Sequence, residues 1–525
     1  MRILLTTYWP LPHIGGVSTY VETLYNRLAD MGHEVDILAH HPDLTKFYLL
    51  KQGEQQIVEK NSLRHLIEPA LIEGYRQYQM TLTPWMTRHE AEKYAFEMAC
   101  RQIGLDSYDL IHTQDIFSTF SCSRAKPAPA ALVATIHGCL ATEWIVNGEI
   151  HSRTPLEQEY LALEEFYGAM PSDHLILPSQ WLSKRLSSFR ISHPKTHIIP
   201  YGIDPQMFGE RLRPTGQIPE KAGRKVIACP ARLVTIKGQI YLLRAMQLLI
   251  QQRNDIVCWL IGDGVMRRDL EKQVEQLGLQ NHVVFLGDRS DVPALLSLAD
   301  LVVLPSLQDN LPFAVIEAQT VGKPVIASKV GGIVELIEDL KNGMLVEPKD
   351  IDQLYQKTLL LLNDEDLYTR ISQEAIHRAR AEWHAEVMAE RTLSVYRKAL
   401  DSKRTVQNST QKSLFNIPDL PFALDLKERY GELKKKGLSF PNAARLGGRV
   451  RINGGNKEVP EACVHLIDMA GVVLNSVRTN QNGEYLIRDV QPGNYALTCL
   501  GPNIGTQTIR ISVPAAGFWS FDLEF

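Results

Sequence analysis

The chain has 525 residues, enough for about three domains at about 150 residues each, so a single small binding module is excluded. Lys and Arg number 56 against 60 Asp and Glu, a formal net charge of −4. Binding to a phosphate backbone calls for a basic excess, so nucleic acid is not an expected partner. Hydrophobic residues make up 44% and charged residues 22%, the balance of soluble globular domains rather than of disordered or fibrous chains.

The opening MRILLTTYWP reads as a first strand, too short for a signal segment and broken by Pro10 and Pro12. RILLTT, the helical GGVSTYVETLYNRLADMG and HEVDILAH then alternate as parallel βαβ units do. A longer helical insert with aromatic residues runs from about His41 to Asp106, placed to shape a site. The rhythm resumes in DLIHTQD, LVATIHG, HLILPS and HIIPYG, and a second series follows with KVIACPARL, IVCWLIGDG, HVVFLGD, LVVLPS, PVIAS and GMLVEP. Trp383 to Leu400 has helical spacing and reads as a terminal helix closing the second domain.

Beyond it the composition becomes polar, with Pro and the cluster Lys434, Lys435 and Lys436, as in linkers. The last segment alternates every second residue between turn signals such as Asn482-Gly483 and Pro492-Gly493, the pattern of an all-β sandwich. The expected architecture is α/β: an N-terminal Rossmann-like domain over 1–205, a second over 206–402, a linker over 403–444 and an all-β sandwich over 445–525. Strand parity sets Cys463 and Cys499 on opposite faces, so these thiols should not pair. The seven cysteines contain no Cys-x-x-Cys, which fits a reducing cytoplasm. No run reaches the roughly 18 apolar residues of a membrane span, and a soluble or peripheral protein is expected.

Several residues stand where open α/β folds bind ligands, at the carboxyl ends of strands. Gly15 and Gly16 lie between a strand and a helix, where bare backbone serves either a tight turn or the approach of an anion to the helix start. Arg232 and Lys237, in ARLVTIKG, combine a planar fork and a point charge suited to a diphosphate, unless they are solvated surface cations. Asp309 is placed on the loop after LVVLPS and Glu317 two turns into the next helix; both carboxylates can accept hydrogen bonds from sugar hydroxyls, or serve as a loop cap and a surface charge. His137 and His112 end adjacent strands and suggest a cleft, although a structural hydrogen bond suits either imidazole alone. Asp350 and Asp352 have the spacing of some divalent-metal sites, but their setting before a helix favours an N-cap.

In order along the chain, GGVSTYVETLYNRLADMGHEV, ATIHG, LPSQWLSKRL, IIPYGID, ARLVTIKG, LIGDG, LADLVVLPSLQDNLPFAVIEAQTVGKPVIAS and VGGIVELI make residues 1 to about 400 resemble a retaining glycosyltransferase of family 4 with the two-Rossmann GT-B fold. The resemblance implies a nucleotide-sugar donor, UDP or GDP, on the second domain and a glycan or lipid-linked acceptor on the first, in cell-envelope or exopolysaccharide synthesis. It implies that Arg232, Lys237 and the Gly16 backbone hold the donor diphosphate without a metal or other cofactor, and that Glu317 accepts hydrogen bonds from the ribose. Asp309 and His137 are the implied catalytic pair, Asp309 on the sugar and His137 orienting it. Asp309 stands where the family has a longer glutamate, Asn310 replaces a common glycine and Tyr201 replaces a usual asparagine.

The C-terminal stretch resembles carboxypeptidase regulatory-like and transthyretin-like modules through GGRVRINGGNKEVPEACVHLIDMAGVVLNSVRTNQNGEYLIRDVQPGNYALTC, which implies binding of glycan, of a partner or of the enzyme itself. Competing readings are a nucleotide-sugar epimerase, a sucrose- or glycogen-type synthase, and a degenerate non-catalytic protein that binds glycan or protein. Peripheral contact with an anionic leaflet through the insert and the three lysines is a further expectation.

Overall fold

Short apolar runs that are buried on both faces build two parallel layers, because each run is too short for a helix and too apolar to leave a face to water. The computed structural model describes residues 1–51, 53–78, 80, 82–219, 221, 223–404, 418–435, 444–452, 458–468, 473–490, 493–501, 505–513 and 517–524. The chain forms two units, one of residues 1–143 and 162–424, the other of 144–161 and 425–525.

The first unit holds two sheets. One contains β1 (Arg2–Pro10), β2 (Glu34–His40), β3 (Lys46–Lys51), β4 (Glu54–Glu59), β5 (Leu110–Thr113), β6 (Ala131–Thr135), β7 (His174–Leu177) and β8 (Thr196–Ile198), in the order β4-β3-β2-β1-β5-β6-β7-β8. It is parallel except at its edge, where β3 pairs antiparallel with both β2 and β4. The insert expected to be helical therefore starts with a hairpin before its helices Lys60–Gln77 and Pro84–Ile103. The turn is made by Gly53, at φ 87, and Phe47, Tyr48 and Leu49 are buried once KFYLLK pairs with β2.

The other sheet contains β9 (Lys225–Pro230), β10 (Ile256–Ile261), β11 (Val283–Gly287), β12 (Leu301–Leu304), β13 (Val325–Ser328) and β14 (Met344–Val346), all parallel in the order β11-β10-β9-β12-β13-β14. Chain direction across each sheet reverses beside its first strand, between β1 and β5 and between β9 and β12, which opens a crevice at the carboxyl ends. We call the two sheets with their helices the first and second lobes.

The terminal helix Ala385–Arg404 does not stay with the second lobe. It packs on the helix Gly16–Asp30 and on β6, so its apolar face belongs to the first lobe. At this return the chain is bound to itself: Ile203 N donates to Trp383 O at 2.8 Å and Ala385 N to Ile203 O at 3.2 Å. A Cβ at Gly202 would come within 2.6 Å of the His384 backbone, so only glycine fits this crossing. Asp350 caps the helix Ile351–Asn363 by accepting from Gln353 N at 2.8 Å, as its setting suggests.

In the second unit, β15 (Ala444–Arg451), β18 (Glu484–Val490), β21 (Gly517–Ser520) and β22 (Leu523–Glu524) form one four-stranded sheet, and β16 (Cys463–Asp468), β17 (Val473–Arg478), β19 (Gly493–Gly501) and β20 (Gly505–Val513) form another. Both contribute to one buried cluster that includes Leu446, Val464, Ile487, Leu497 and Val513. The turn Glu149–Ser152 packs on β18, and Arg429 Nη1 lies 2.8 Å from Glu159 Oε2. Cys463 and Cys499 are both free, the second buried. The stretch read as a linker carries the helix Leu420–Lys435, whose Phe422, Ala423 and Leu426 are buried. Lys436 and Pro492 lie outside the described residues. Among the described residues no helix is long and apolar enough to cross a membrane.

Candidate active site

The crevice is built from strand ends of both lobes. After β1, Gly15 precedes the helix Gly16–Asp30, whose start sits against the ring of Phe313: a Cβ on Gly16 would lie 3.0 Å from Phe313 Cδ2. His13, in the same loop, donates from Nδ1 to Pro10 O at 2.7 Å. Burial lowers its pKa, and the charge of Arg232 from the second lobe adds to the lowering.

After β9, Arg232 is exposed and Lys237 closes the 3₁₀ turn Thr235–Lys237. Lys237 Nζ meets Asp309 Oδ2 at 2.6 Å, and Ser306 Oγ donates to the same oxygen at 3.3 Å. Two residues expected on different parts of a donor, Lys237 on the diphosphate and Asp309 on the sugar, are therefore held on each other. Their loop is pinned from behind, since Gly332 N donates to Asp309 O at 3.1 Å. A Cβ at Gly331, which has φ 58, would fall 1.6 Å from Asp309 O, and one at Gly332 would fall 2.0 Å from Asn310 O.

Glu317 lies only about one turn into its helix, because that helix, Phe313–Thr320, starts after the extended Pro312 rather than at Asp309. It is buried and pairs with Arg211 at 2.9 Å. Burial pushes its pKa up and Arg211 opposes the rise.

His137 carries the loop after β6. Burial lowers its pKa to about 3, so the ring is neutral. Its Nε2 lies 3.1 Å from Gln114 Oε1, and Gln114 Nε2 donates to His112 O at 3.3 Å, which orients the amide. The ring therefore donates from Nε2 and accepts at Nδ1 from the Tyr201 hydroxyl, 2.8 Å away. Tyr201 stacks on Phe313 with centroids 4.7 Å apart and planes at 8°. Asn310 Nδ2 donates to His137 O at 2.8 Å, and its Oδ1 accepts from Ser179 Oγ.

His112 does not reach the crevice. It is fully buried within β5, with Nδ1 2.7 Å from Tyr396 Oη and Nε2 2.7 Å from Thr135 Oγ1, and burial lowers its pKa to about 3. The returning helix Ala385–Arg404 covers it through Tyr396.

Lys237 and Asp309 are thus brought together, His137 is tied to the same loop through Asn310, Gly16 sits against Phe313, and Glu317 is turned to Arg211. Sequence reasoning assigned no part to Gln114, Arg211, Ser179 or Glu335. Gln114 follows His112 by two positions and shares its face at the strand end, a parity that points to it. Glu335, inside VGGIVELI, accepts from Gln180 N at 3.0 Å and Trp181 N at 2.6 Å, capping the first-lobe helix Gln180–Ser188 from the second lobe. Among the described residues no group of three or more His, Cys, Asp or Glu could hold a metal ion.

Residues 14–207 match the family model described as Glycosyltransferase Family 4, and residues 214–378 match Glycosyl transferases group 1. The chain is 31% identical to the D-inositol 3-phosphate glycosyltransferase of Corynebacterium urealyticum over 407 residues, 73% of this chain and 90% of that protein. It is 26% identical to the MMP alpha-(1->4)-mannosyltransferase of Mycolicibacterium hassiacum over 414 residues, 76% of this chain and 98% of that one. In fold it resembles the sucrose-phosphate synthase of Thermosynechococcus elongatus, with TM-score 0.58 and 21% identity over 76% of this chain and 99% of that chain.

Proposed function

The chain belongs to the glycosyltransferases, with a Family 4 N-terminal part and a group 1 C-terminal part, and from that premise we propose that it moves a hexose from UDP or GDP to a glycan or lipid-linked acceptor with retention of anomeric configuration. One observation carries the reading. Lys237 and Asp309 are paired at the direction switch of the second sheet, with exposed Arg232 five residues before Lys237 in the same loop, and the glycine loop that opens a first-lobe helix meets the second lobe at Phe313. Such a place offers two cations, backbone N–H groups and a positive helix end to a diphosphate, with a carboxylate next to them for sugar hydroxyls.

In this reading Arg232, Lys237 and Gly16 N–H take up the charge that develops on the leaving diphosphate, the role a metal fills elsewhere. The bond from the anomeric carbon to the phosphate oxygen breaks and its electron pair stays on that oxygen. The acceptor hydroxyl attacks from the same face, and its proton passes to the departing phosphate. Asp309 holds sugar hydroxyls and Glu317, with Arg211 as its counterion, accepts from the ribose. His137, neutral and hydrogen-bonded at both nitrogens, orients the sugar and does not act as a nucleophile. The C-terminal strands are read as a β-sandwich of the carboxypeptidase regulatory-like kind that binds glycan or a partner, and the protein as cytoplasmic and peripheral at the inner face of the membrane, with a place in cell-envelope or exopolysaccharide synthesis.

The test is turnover of UDP-, GDP- and ADP-sugars with a panel of glycan and lipid-linked acceptors, in the presence of chelator. Product with the donor's anomeric configuration from one nucleotide class is expected. Inversion, or activity that chelator abolishes, overturns the reading.

A further inference from the structure

Tyr201 and Asn310, far apart in the chain, converge on one residue. Tyr201 is 7% exposed and lies two positions before the crossing at Ile203, where the chain passes between the lobes. Its ring is clamped between Phe313 of the second lobe and Tyr20 of the first, whose centroid is 5.5 Å away, so its hydroxyl has one direction open, toward His137 Nδ1. Tyr20 also meets the imidazole edge-on at 4.8 Å. Asn310 comes from the opposite lobe, on a loop fixed by Lys237, Ser306 and Gly332, and reaches the His137 carbonyl and Ser179 with its two amide atoms. A glycine at 310 makes neither link.

We propose that Tyr201 and Asn310 are positioning residues: Tyr201 from the end of the first lobe and Asn310 from across the crevice together hold the ring and main chain of His137 in a single orientation, so that this residue is set for the sugar. The proposal rests on the transferase reading above and adds to it how His137 is oriented. A buried hydroxyl and a buried ring nitrogen each cost stability when left without a partner, and here they satisfy one another. With Nδ1 occupied by Tyr201 and Nε2–H by Gln114, the imidazole cannot change tautomer without breaking two hydrogen bonds. Asn310 ties the same loop to the backbone segment that carries Asp309, so donor and acceptor sides share one anchor.

The test uses the full chain labelled with ¹⁵N-histidine, the His137 signals being those lost in His137→Gln. The unaltered protein should show one neutral tautomer protonated at Nε2. Tyr201→Phe should leave Nε2 protonated, held there by Gln114, but should move the Nδ1 signal as that nitrogen loses its donor, with kcat lowered about tenfold, the rate equivalent of one lost hydrogen bond, and donor KM within about twofold. Asn310→Asp keeps the acceptor for Ser179 but loses the donor to His137, and should lose activity as Asn310→Ala does. In the His137→Gln background Tyr201→Phe should cost nothing further. An unmoved His137 Nδ1 signal in Tyr201→Phe, or an equal loss in both backgrounds, overturns the proposal. Absence of turnover by the unaltered chain with every nucleotide-sugar overturns the transferase reading instead, while the Nδ1 signal still decides whether Tyr201 orders His137.

Discussion

The two lobes place opposite kinds of chemistry at their strand ends. The second lobe presents charge: Arg232 exposed, Lys237 and Asp309 paired with each other, and Glu317 balanced by Arg211. The first presents a neutral network in which His137, Gln114, Tyr201 and His112 satisfy one another. Lys237 and Asp309 are mostly covered, with side-chain exposures of 18% and 13%, so an anion that replaces one partner meets a weakly screened charge, whereas a closed network of buried hydrogen bonds resists rearrangement. The comparison teaches that the second lobe is built to hand its charges to an incoming anion and the first to keep a fixed shape.

The largest effect should come from the charged side. Lys237→Ala should lower kcat/KM about 100- to 1,000-fold, as loss of a preorganised charge-stabilising donor does, and steady-state rates of the two variants will show whether His137→Ala costs less; equal losses would break the comparison. Next, Glu317→Ala should abolish the rise in melting temperature produced by the preferred nucleotide, a rise equivalent to about 2.7 kcal/mol at ligand 100 times its Kd. A full shift in the variant would remove the ribose role.

Glu335→Ala tests the contact between the lobes. Losing the cap on Gln180 and Trp181 should cost about 0.5–2 kcal/mol, read from the urea midpoint, and Glu335→Gln should recover part of it. The smallest effect concerns pH. His112 and His137 have folded pKa values lowered to about 3 by burial, while the unfolded chain protonates them near about 6.5. Between those values the unfolded state binds more protons, so stability falls as pH drops through this window. Glu165, raised to about 7 by burial, works the other way, since its folded form keeps a proton that the unfolded chain releases above its usual carboxyl range. His137→Gln should therefore flatten the acid slope of the unfolding midpoint, and an unchanged slope would mean that His137 is protonated in the folded protein.

Much of the charged side was legible because it is local. Arg232, Lys237 and Asp309 each follow a short apolar strand, and the carboxyl end of such a strand in a parallel sheet is a crevice whatever surrounds it. Asp350 was legible as a cap for the same reason. Glu317 was misplaced by a turn because Pro312 sets the helix start, and the hairpin β3–β4 was hidden because its alternation covers only six residues per strand. His112 looked like His137 in the chain, yet one ring is covered by Tyr396 and the other faces the crevice loop, a difference decided by a helix 284 residues away.

By itself the sequence determined the alternation of strands and helices outside the β3–β4 insert, the glycosyltransferase resemblance and where the cations fall along the chain, since periodicity and turn chemistry act over a few residues. Only the tertiary structure decided that Lys237 rests on Asp309, that Arg211 balances Glu317, and that Tyr201 and Asn310 meet at His137, 64 and 173 residues away along the chain. Local patterning sets which face a side chain takes, while its partner depends on how distant surfaces pack and on where the chain crosses between the lobes.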